Sequence, residues 1–411
     1  MTGHRIDAEW LREERLQRLL AVLSADGEEA RVVGGAVRNT LLGLSVTDTD
    51  IATTTEPAET ARRAEAAGFK AVPTGAEHGT ITVVVGGTPF EVTTLRRDIE
   101  TDGRHARVRF GRDWRADAER RDFTVNALYC DAAGEVLDLV GGIADIGSRT
   151  LRFIGDPAQR IEEDRLRILR FFRFFAWYGE GRPDADGLRA CARLKGGIAS
   201  LSAERVWMEL RKLLAAPDPS RALLWARQAG VLSAALPESE RWGIDGIHGL
   251  VGAEHVHRWQ PDALLRLLAI VPPDPERLAE LARRLKMANA ERDRLLAYAM
   301  AEPARPDETD ASLRERLYFG DRPGIVDRLR LALATRHGKS ERDAIAETAR
   351  LGEQLRVAEG FDPPAFPVTG SDLTAKGVRP GPELGQLLQD LKRSWVASGF
   401  VLSREAMLSR F

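Results

Sequence analysis

Two glycines and an arginine near the N-terminus have the spacing of a phosphate-binding turn. Gly34 and Gly35 follow a short β-branched run that begins at Arg31, and they precede a helical stretch. Successive glycines let the backbone approach a ligand closely, and the N-terminus of the following helix favours anions. Arg38, one turn into that helix, can reach the same phosphate. The glycine pair alone is a weak signal, because most such pairs are only turns.

Asp48 and Asp50 stand two residues apart on the next predicted strand, which runs from Asp48 to Thr53. Strand side chains alternate, so this spacing puts both carboxylates on one face. Converging carboxylates repel each other unless a cation lies between them, and Mg²⁺ usually binds through one or two carboxylates together with substrate phosphates. A lone Asp-x-Asp is more often a solvated turn. Strand, Gly-Gly, helix and Asp-x-Asp in succession predict a site where a nucleotide meets a metal ion.

A second polar cluster runs from Arg120 to Ala127 and includes Arg121, Asp122 and Asn126. One interpretation is a capped helix start after a charged loop. The functional interpretation is that Arg121 grips a triphosphate, while Asp122 and Asn126 hold the loop and the arginine in place.

A third cluster follows a predicted helix start at Asp156. Asp164 and Arg167 are three residues apart, which predicts that they lie side by side on one helix face. Arg170 and Arg173 continue in steps of three, each about 60° further around the helix, and are expected to contact phosphate rather than base. The alternative is an Asp–Arg pair on a wet surface, worth a few tenths of a kcal/mol. That alternative accounts less well for four arginines mixed with four phenylalanines.

An Asp–Arg pair can select a nucleobase. Cytosine and adenine both present an amine beside an unprotonated ring nitrogen, which suits a carboxylate acceptor and a guanidinium donor. Guanine and uracil present the reverse polarity. Each unpaired buried polar group costs about 1–3 kcal/mol, so the wrong bases are expected to be rejected.

The elements that must position these residues change character along the chain. The first 155 residues are mixed α and β, with hairpin signatures such as Gly86-Gly87 between two β-branched runs, so an α+β head with a mostly antiparallel sheet is predicted. After Asp156 the periods are helical. We predict a mixed head at 1–155, followed by helical segments at 156–235, 236–355 and 356–411, in an elongated array.

Composition narrows the class of protein. The chain has 411 residues, a net charge of −2 and two cysteines far apart, which argues against a disulfide framework or a cysteine-ligated zinc site. No apolar run is long enough to span a bilayer, and the N-terminus has no apolar signal core. A reducing, cytoplasmic compartment is expected. His255 and His257 could lie on one side of a strand as metal ligands, but ordinary surface or core histidines are the better interpretation.

Three motifs in this order resemble those of the class II tRNA nucleotidyltransferases (CCA-adding enzymes) and bacterial poly(A) polymerases, in the polymerase β superfamily. They are Gly34-Gly35-Ala36-Val37-Arg38 with Asp48-Thr49-Asp50, then Arg120 to Ala127, then Glu163-Asp164 through Arg170. Residues 201–214 resemble the neck helix of that family, and residues 370–385 resemble its tail. The resemblance implies that 1–155 is a nucleotidyltransferase head, 156–235 a neck for base recognition, 236–355 a body and 356–411 a tRNA-binding tail.

The resemblance implies roles for individual residues. Asp48 and Asp50 are implied as ligands of Mg²⁺. In this context we favour Glu91 as a third carboxylate of that site over a solvent-facing strand residue. Gly34, Gly35, Arg38 and Arg121 are implied in triphosphate binding, with Asp122 and Asn126 as supports. Asp164 and Arg167 are implied as the amino-acid template for CTP and ATP, supported by Arg170 and Arg173. The family usually has Asp after Arg38, and this chain has Asn39.

The expected activity is addition of C, C and A to the 3′ end of tRNA from CTP and ATP, without a nucleic-acid template and with release of pyrophosphate. The acceptor arm of tRNA is the expected partner, with no membrane and no obligate protein partner. Poly(A) polymerase is the first alternative. Those relatives usually carry a Gly-Arg-Arg-Phe-like signature after the aspartates and a long basic tail. This chain has Val72 to Thr80 in place of the signature and a C-terminus that is not basic, so this alternative is not favoured. The second is addition of only CC or only A, disfavoured because residues 96–112 supply the flexible loop that CC-adding enzymes tend to lack. The third is an inactive tRNA-binding protein, which intact Asp48 and Asp50 argue against.

Overall fold

The computed structural model describes residues 4–76, 79–102, 105–239, 243, 245–337 and 342–409. The chain folds as two compact units, residues 1–216 with 221–235, and residues 217–220 with 236–411. Apart from 217–220, the second unit begins where the predicted neck ends. The finer division into four domains stays a prediction.

A mixed head followed by helices confirms the predicted α+β class. All strands of the described residues lie in the first unit. They are β1 (Ala30–Val33), β2 (Asp50–Thr53), β3 (Lys70–Gly75), β4 (Thr80–Val85), β5 (Thr88–Thr94), β6 (Arg96–Asp102), β7 (His105–Phe110), β8 (Leu128–Cys130) and β9 (Val136–Asp138).

Seven of these strands form one sheet in the order β3-β4-β5-β2-β1-β8-β9. Every neighbouring pair is antiparallel except β2 and β5, so the predicted mostly antiparallel sheet is confirmed. The β4–β5 hairpin forms because alternate residues such as Ile81 and Val83 are buried, while Gly86 and Gly87 adopt φ of 54° and 87°. Both positions of that turn need a left-handed backbone, which glycine adopts without strain.

The helices are α1 (Glu14–Leu23), α2 (Gly35–Leu41), α3 (Pro57–Ala66), α4 (Trp114–Glu119), α5 (Gly142–Gly147), α6 (Pro157–Glu163), α7 (Arg167–Tyr178), α8 (Ala185–Leu194), α9 (Ala203–Leu214), α10 (Ser220–Gln228), α11 (Val231–Ala235), α12 (Asp245–His257), α13 (Ala263–Ile270), α14 (Pro275–Arg284), α15 (Asn289–Met300), α16 (Asp310–Phe319), α17 (Arg322–Arg336), α18 (Arg342–Gly360), α19 (Gly370–Ala375), α20 (Pro382–Ala397) and α21 (Arg404–Leu408). Short 3-10 helices lie at Glu9–Arg12, Thr124–Asn126, Lys195–Ser200 and Pro237–Ser239. None of the helices in the described ranges is both long and apolar enough to cross a membrane.

The helix α7 is held in the first unit by its apolar face. Phe171, Phe172, Phe174 and Phe175 are all buried, and Phe171 stacks on Phe153 with ring centroids 5.4 Å apart. The arginines of α7 fall between these rings in sequence and are left for the opposite side. Packing of α7 therefore fixes which way its arginines face.

Three local predictions are wrong. Strand β2 begins at Asp50, so Asp48 lies in the connecting segment before it. The predicted continuous helix is two helices, because Asp164 adopts an extended backbone (φ −147°, ψ 107°) at the end of α6. The stretch 96–112, predicted as a loop, contains the two-stranded ribbon β6–β7, in which Arg96 pairs with Phe110.

The second unit is helical throughout the part that the structure describes. One of its cores gathers Leu313, Leu329 and Leu351 from three helices, and another surrounds Trp395. His255 and His257 belong to helix α12 and are exposed, so the strand geometry considered for a metal site is absent there.

Candidate active site

The glycine turn lies between β1 and α2, as predicted. Gly34 has φ 72° and ψ −111°, a conformation that side chains rarely adopt. Its N–H donates to the Leu128 carbonyl at 3.0 Å, which fastens the turn to β8. Gly35 is the first residue of α2, so the helix N-terminus opens directly after the turn. This is the geometry that suits an anion.

Asp50 and Glu91 lie side by side on adjoining strands. Ile51 pairs with Val92 in the parallel β2–β5 ladder, so the residues before them point to the same side of the sheet. Both side chains are exposed, and so is Asp48 two residues before Asp50. Glu91 thus lies beside Asp50, and its role as a third carboxylate of a metal site stays a prediction.

The charges of these carboxylates act on one another. The pKa of Asp50 is raised, first by partial burial and then by repulsion from Glu91 and Asp48, while Arg121 opposes the rise. Within the described residues, no three acidic, histidine or cysteine side chains are grouped closely enough to hold a metal by themselves. Two carboxylates with substrate phosphates are, however, a sufficient donor set for a hard divalent cation. The donor chemistry therefore fits Mg²⁺ at Asp48 and Asp50.

Arg38 is a buried hub rather than a free side chain. Its Nη1 donates to Asn126 Oδ1 at 2.5 Å and its Nη2 to Tyr178 Oη at 2.7 Å. Its Nε and Nη2 both donate to Asn39 Oδ1, at 3.2 and 2.9 Å. Burial lowers the pKa of Arg38 from its ordinary value. Most of its donors are thus engaged, and the guanidinium is fixed behind the glycine turn.

Arg121 is oriented by Asp117, a residue that the sequence reading missed. Arg121 Nε and Nη2 donate to Asp117 Oδ2 at 3.2 and 3.0 Å, and Nε also lies 3.2 Å from Tyr129 Oη. Burial opposes the charge of Arg121, but Asp117 more than offsets it, so the pKa of Arg121 is raised. No bond from Arg121 Nη1 appears within the described residues, and Asp50 feels the charge of this guanidinium. Arg121 therefore keeps donors for a ligand beside the carboxylates.

Asp122 and Asn126 were predicted to hold Arg121 in place, and this was wrong: they bond to Arg170 and Arg38, while Asp117 holds Arg121. Arg170 Nε donates to Asp122 Oδ2 at 2.8 Å, and Arg170 Nη2 bonds to the same oxygen. Asn126 Nδ2 donates to Asp122 Oδ1 at 3.0 Å, while Asn126 Oδ1 accepts from Arg38. Burial opposes ionisation of Asp122, but Arg170 and Asn126 outweigh it and lower its pKa to about 2. One continuous chain of bonds thus runs from Arg170 to Arg38.

Asp164 and Arg167 do not share a helix face, and each has its own partner. Asp164 accepts from Arg205 Nη2 at 2.9 and 3.2 Å. Arg167 Nη1 donates to Glu163 Oε2 at 2.7 Å and to the Arg160 carbonyl at 2.8 Å. The pair is therefore positioned by the break between α6 and α7 and by helix α9. Neither side chain is bonded to the other in the described structure; both Asp164 oxygens accept from Arg205, and Arg167 Nη2 also donates to the Arg120 carbonyl at 3.3 Å.

Arg173 faces helix α9. Its Nε lies 2.7 Å from Glu209 Oε2, and both side chains are largely buried. Burial lowers the pKa of Arg173 although Glu209 opposes this. Arg173 is thus engaged by Glu209, whereas the side chain of Arg170 is 30% exposed.

Five partners of the predicted site residues were missed from the sequence, among them Glu209, which pairs with Arg173. Asp117 stands four residues before Arg121, and Glu163 four before Arg167, a spacing that could have indicated both ion pairs. Arg205 and Tyr178 lie 41 and 140 residues from their partners, Asp164 and Arg38. Local residue spacing cannot predict contacts between residues so far apart in the sequence.

Two protein-family models match the chain. Residues 30–152 match the family described as "Poly A polymerase head domain". Residues 183–242 match "Probable RNA and SrmB- binding site of polymerase A".

Curated relatives cover nearly the whole chain. "CCA tRNA nucleotidyltransferase 1, mitochondrial" of Mus musculus is 33% identical over 406 residues, which is 96% of this chain and 89% of that protein. The "CCA-adding enzyme" of Leuconostoc mesenteroides is 30% identical over 401 residues, or 96% of this chain and 94% of that protein.

Solved structures share the fold. The Bacillus stearothermophilus CCA-adding enzyme in complex with CTP is 25% identical, with a TM-score of 0.72, over 96% of this chain and 95% of that one. The Thermotoga maritima CCA-adding enzyme complexed with tRNA has a TM-score of 0.67 over 99% of this chain and 96% of that one. At 19% identity, the second likeness concerns the fold alone.

Proposed function

The chain belongs to the family of CCA-adding tRNA nucleotidyltransferases, and from this premise we propose that Asp48 and Asp50 bind Mg²⁺ while Asp164 and Arg167 read the incoming base. The reaction is addition of C, C and A to the 3′ end of tRNA from CTP and ATP, the activity for which relatives that span nearly the whole chain are named. The observation that carries the proposed site is the β2–β5 register, in which Ile51 pairs with Val92 and Asp50 therefore lies beside Glu91 on one side of the sheet. Arg121 lies near enough to act on the charge of Asp50, so a guanidinium for phosphate accompanies the acidic groups for a cation.

The proposed chemistry is a single displacement. The terminal 3′-hydroxyl oxygen of tRNA attacks the α-phosphorus of CTP or ATP, and the bond from that phosphorus to the bridging oxygen of the β-phosphate breaks. The hydroxyl proton passes to water and pyrophosphate leaves. When bound, Mg²⁺ supplies activation of the hydroxyl and neutralisation of the triphosphate.

The residues of this chain orient the reactants in the proposal. Arg121, braced by Asp117, donates to the triphosphate, and the Gly34–Gly35 turn offers backbone N–H groups at the helix N-terminus. Arg38 acts mainly through position, because most of its donors bond to Asn126, Asn39 and Tyr178. Glu91 adds negative charge beside Asp50.

Base choice is proposed to come from Asp164 and Arg167. Arg205 holds the Asp164 carboxylate and Glu163 holds the Arg167 guanidinium, so neither group has to be ordered by the nucleotide. Pre-ordered donors and acceptors reject the wrong base because its polar edge would stay unpaired. The compartment proposed is the cytoplasm, in keeping with two buried, unpaired cysteines, Cys130 and Cys191; the relatives also include mitochondrial proteins.

One assay tests the function. tRNA lacking its CCA end is incubated with the protein, Mg²⁺ and the four nucleoside triphosphates, offered singly and in succession. Two additions of C and one of A, followed by a stop, are expected. Open-ended addition of A would instead favour a poly(A) polymerase, and addition that halts after C and C would favour a partial enzyme. Repeating the assay after chelation, with Mg²⁺ or Ca²⁺ restored, tests the metal: only Mg²⁺ is expected to restore full incorporation.

A further inference from the structure

Asn39 joins the buried hub at Arg38 to the segment that carries Asp48. Its Oδ1 accepts from Arg38 Nε and Nη2 at 3.2 and 2.9 Å. Its Nδ2 donates to the backbone carbonyl of Ser45 at 3.0 Å. The two halves of one amide thus face opposite ways, one toward the hub and the other toward the connecting segment.

Only an amide satisfies both neighbours. If the amide were turned around, its N–H groups would face the N–H donors of Arg38 and its oxygen would face the Ser45 carbonyl. An aspartate at this position would keep the bonds to Arg38, but its second oxygen would meet the Ser45 carbonyl oxygen without a proton between them. An unpaired pair of acceptors at this distance costs free energy. The chemistry of the two partners therefore selects asparagine at position 39.

The segment from 45 to 49 has few other attachments. Helix α2 ends with Gly43 at φ 70°, and the Leu44 N–H bonds back to the Asn39 carbonyl at 2.8 Å. Pairing resumes only at Asp50, opposite Val33. Over the described ranges, the Asn39 amide supplies the one hydrogen bond that ties the backbone of 45–49 to another element. The position of Asp48 therefore depends on Asn39.

We propose that Asn39 is a positioning residue: its amide holds the 45–49 segment against Arg38 and so sets the place of Asp48 for metal binding. The inference rests on the proposed role of Asp48. Asn39 touches neither nucleotide nor metal in this scheme, and it acts through Ser45. Loss of its N–H donor should loosen Asp48 without removing any ligand.

The first measurement follows the segment without nucleotide or metal. A nitroxide is attached at Ser45→Cys, an exposed position whose backbone carbonyl still accepts from Asn39, while the two native cysteines are buried. Asn39→Asp keeps the acceptor for Arg38 and removes the donor to Ser45. We expect the label to move about twofold faster in Asn39→Asp, on the nanosecond scale of loop motion. Asn289→Asp, the same change at an exposed helix start in the second unit, is the matched control and should leave the spectrum unchanged.

The second measurement separates positioning from general damage. Without the Ser45→Cys label, the Mg²⁺ concentration for half-maximal CTP incorporation should rise about fivefold in Asn39→Asp, as expected for loss of one hydrogen bond, while the KM for CTP at saturating Mg²⁺ changes less than twofold. Asn289→Asp should match the wild type in both quantities. An unchanged label spectrum or an unchanged Mg²⁺ requirement overturns the proposal, as does an equal rise in the KM for CTP. If the wild-type protein adds no nucleotide, the proposed function fails, and the label still reports on the Asn39 tie.

Discussion

The two units of the chain each bury an arginine against a carboxylate, and they use the pair in different ways. In the first unit Arg170 bonds to Asp122 through Nε and Nη2, yet 30% of the Arg170 side chain remains exposed. In the second unit Arg266 is fully buried; it bonds to Glu254 through Nε and Nη2 and to the Pro217 carbonyl at 3.1 Å. Arg266 therefore contributes only to the fold, whereas part of the Arg170 side chain is exposed to solvent.

This difference separates two uses of the same ion pair. A fully enclosed pair can only stabilise or specify the fold, because no ligand can reach it. A pair with one open edge is already ordered when a ligand arrives, so binding loses less side-chain entropy. Arg121 follows the second pattern, with Asp117 behind it and side-chain exposure of 20%. Arg170 and Arg121 thus combine a carboxylate brace with partial exposure, which the fully buried Arg266 does not.

The largest expected effect lies at the carboxylates of the first unit. Asp50→Asn should lower the rate of CTP incorporation about 10³-fold, because several kcal/mol of transition-state stabilisation depend on the metal ligands. The fold should persist, since Asp50 is repelled by Glu91 and Asp48 rather than paired. Single-turnover incorporation and thermal unfolding measure the two outcomes. Asp293→Asn, an exposed change in the second unit, is the control. Near-normal turnover in Asp50→Asn would remove Asp50 from the metal site.

The two buried pairs can be compared directly by matched amide substitutions. Asp122→Asn and Glu254→Gln each leave an arginine without its counter-ion, which costs about 3 kcal/mol of unfolding free energy. Only Asp122→Asn should also raise the KM for CTP, because Arg170 loses its brace at the site. Urea denaturation and steady-state kinetics test both statements. An equal rise in KM for Glu254→Gln would contradict the distinction between a site pair and a scaffold pair.

A smaller effect is expected on base choice. Asp164→Ala should reduce the preference for CTP over UTP about 30-fold. The variant lacks the carboxylate that accepts from the amine of cytosine, so the amine no longer distinguishes cytosine from uracil. tRNA binding should be retained. Competition between CTP and UTP at one primer, with tRNA affinity measured by filter binding, tests this. Asp262→Ala, which removes one of the two carboxylate partners of Arg294 in the second unit, serves as the control and should leave the preference intact. Unchanged discrimination in Asp164→Ala would refute the template role.

The sequence predicted the glycine turn and the β4–β5 hairpin of the head better than it predicted the relative placement of Asp164 and Arg167. Gly34, Gly35 and the β4–β5 hairpin follow from local rules, since glycine conformation and strand alternation involve only near neighbours. The spacing Asp164 to Arg167 was interpreted as one helix face and that was wrong, because the break after Glu163 is set by contacts with other elements. Arg205, which holds Asp164, lies 41 residues away. Helical periodicity describes one segment of sequence and cannot predict a contact with a residue on another helix.

The smallest expected effect is the pH dependence of the Asp122–Arg170 pair. The folded pKa of Asp122 is about 2, below the ordinary value of 3.8, so the pair stabilises the fold at pH values above 3.8 and this stabilisation is lost as pH falls toward 2. Its full contribution is about 2 kcal/mol, and about 1 kcal/mol should be lost between pH 6 and pH 3. Urea denaturation of wild type and Asp122→Asn at both pH values isolates the contribution of the Asp122 carboxylate, because only the wild type has a titratable group at this position. The gap in unfolding free energy between the two proteins should narrow by that amount at pH 3. If the difference in unfolding free energy stayed constant, Asp122 would be held by neutral neighbours such as Asn126. The Asp122–Arg170 pair would then be ordered by hydrogen bonds rather than by charge.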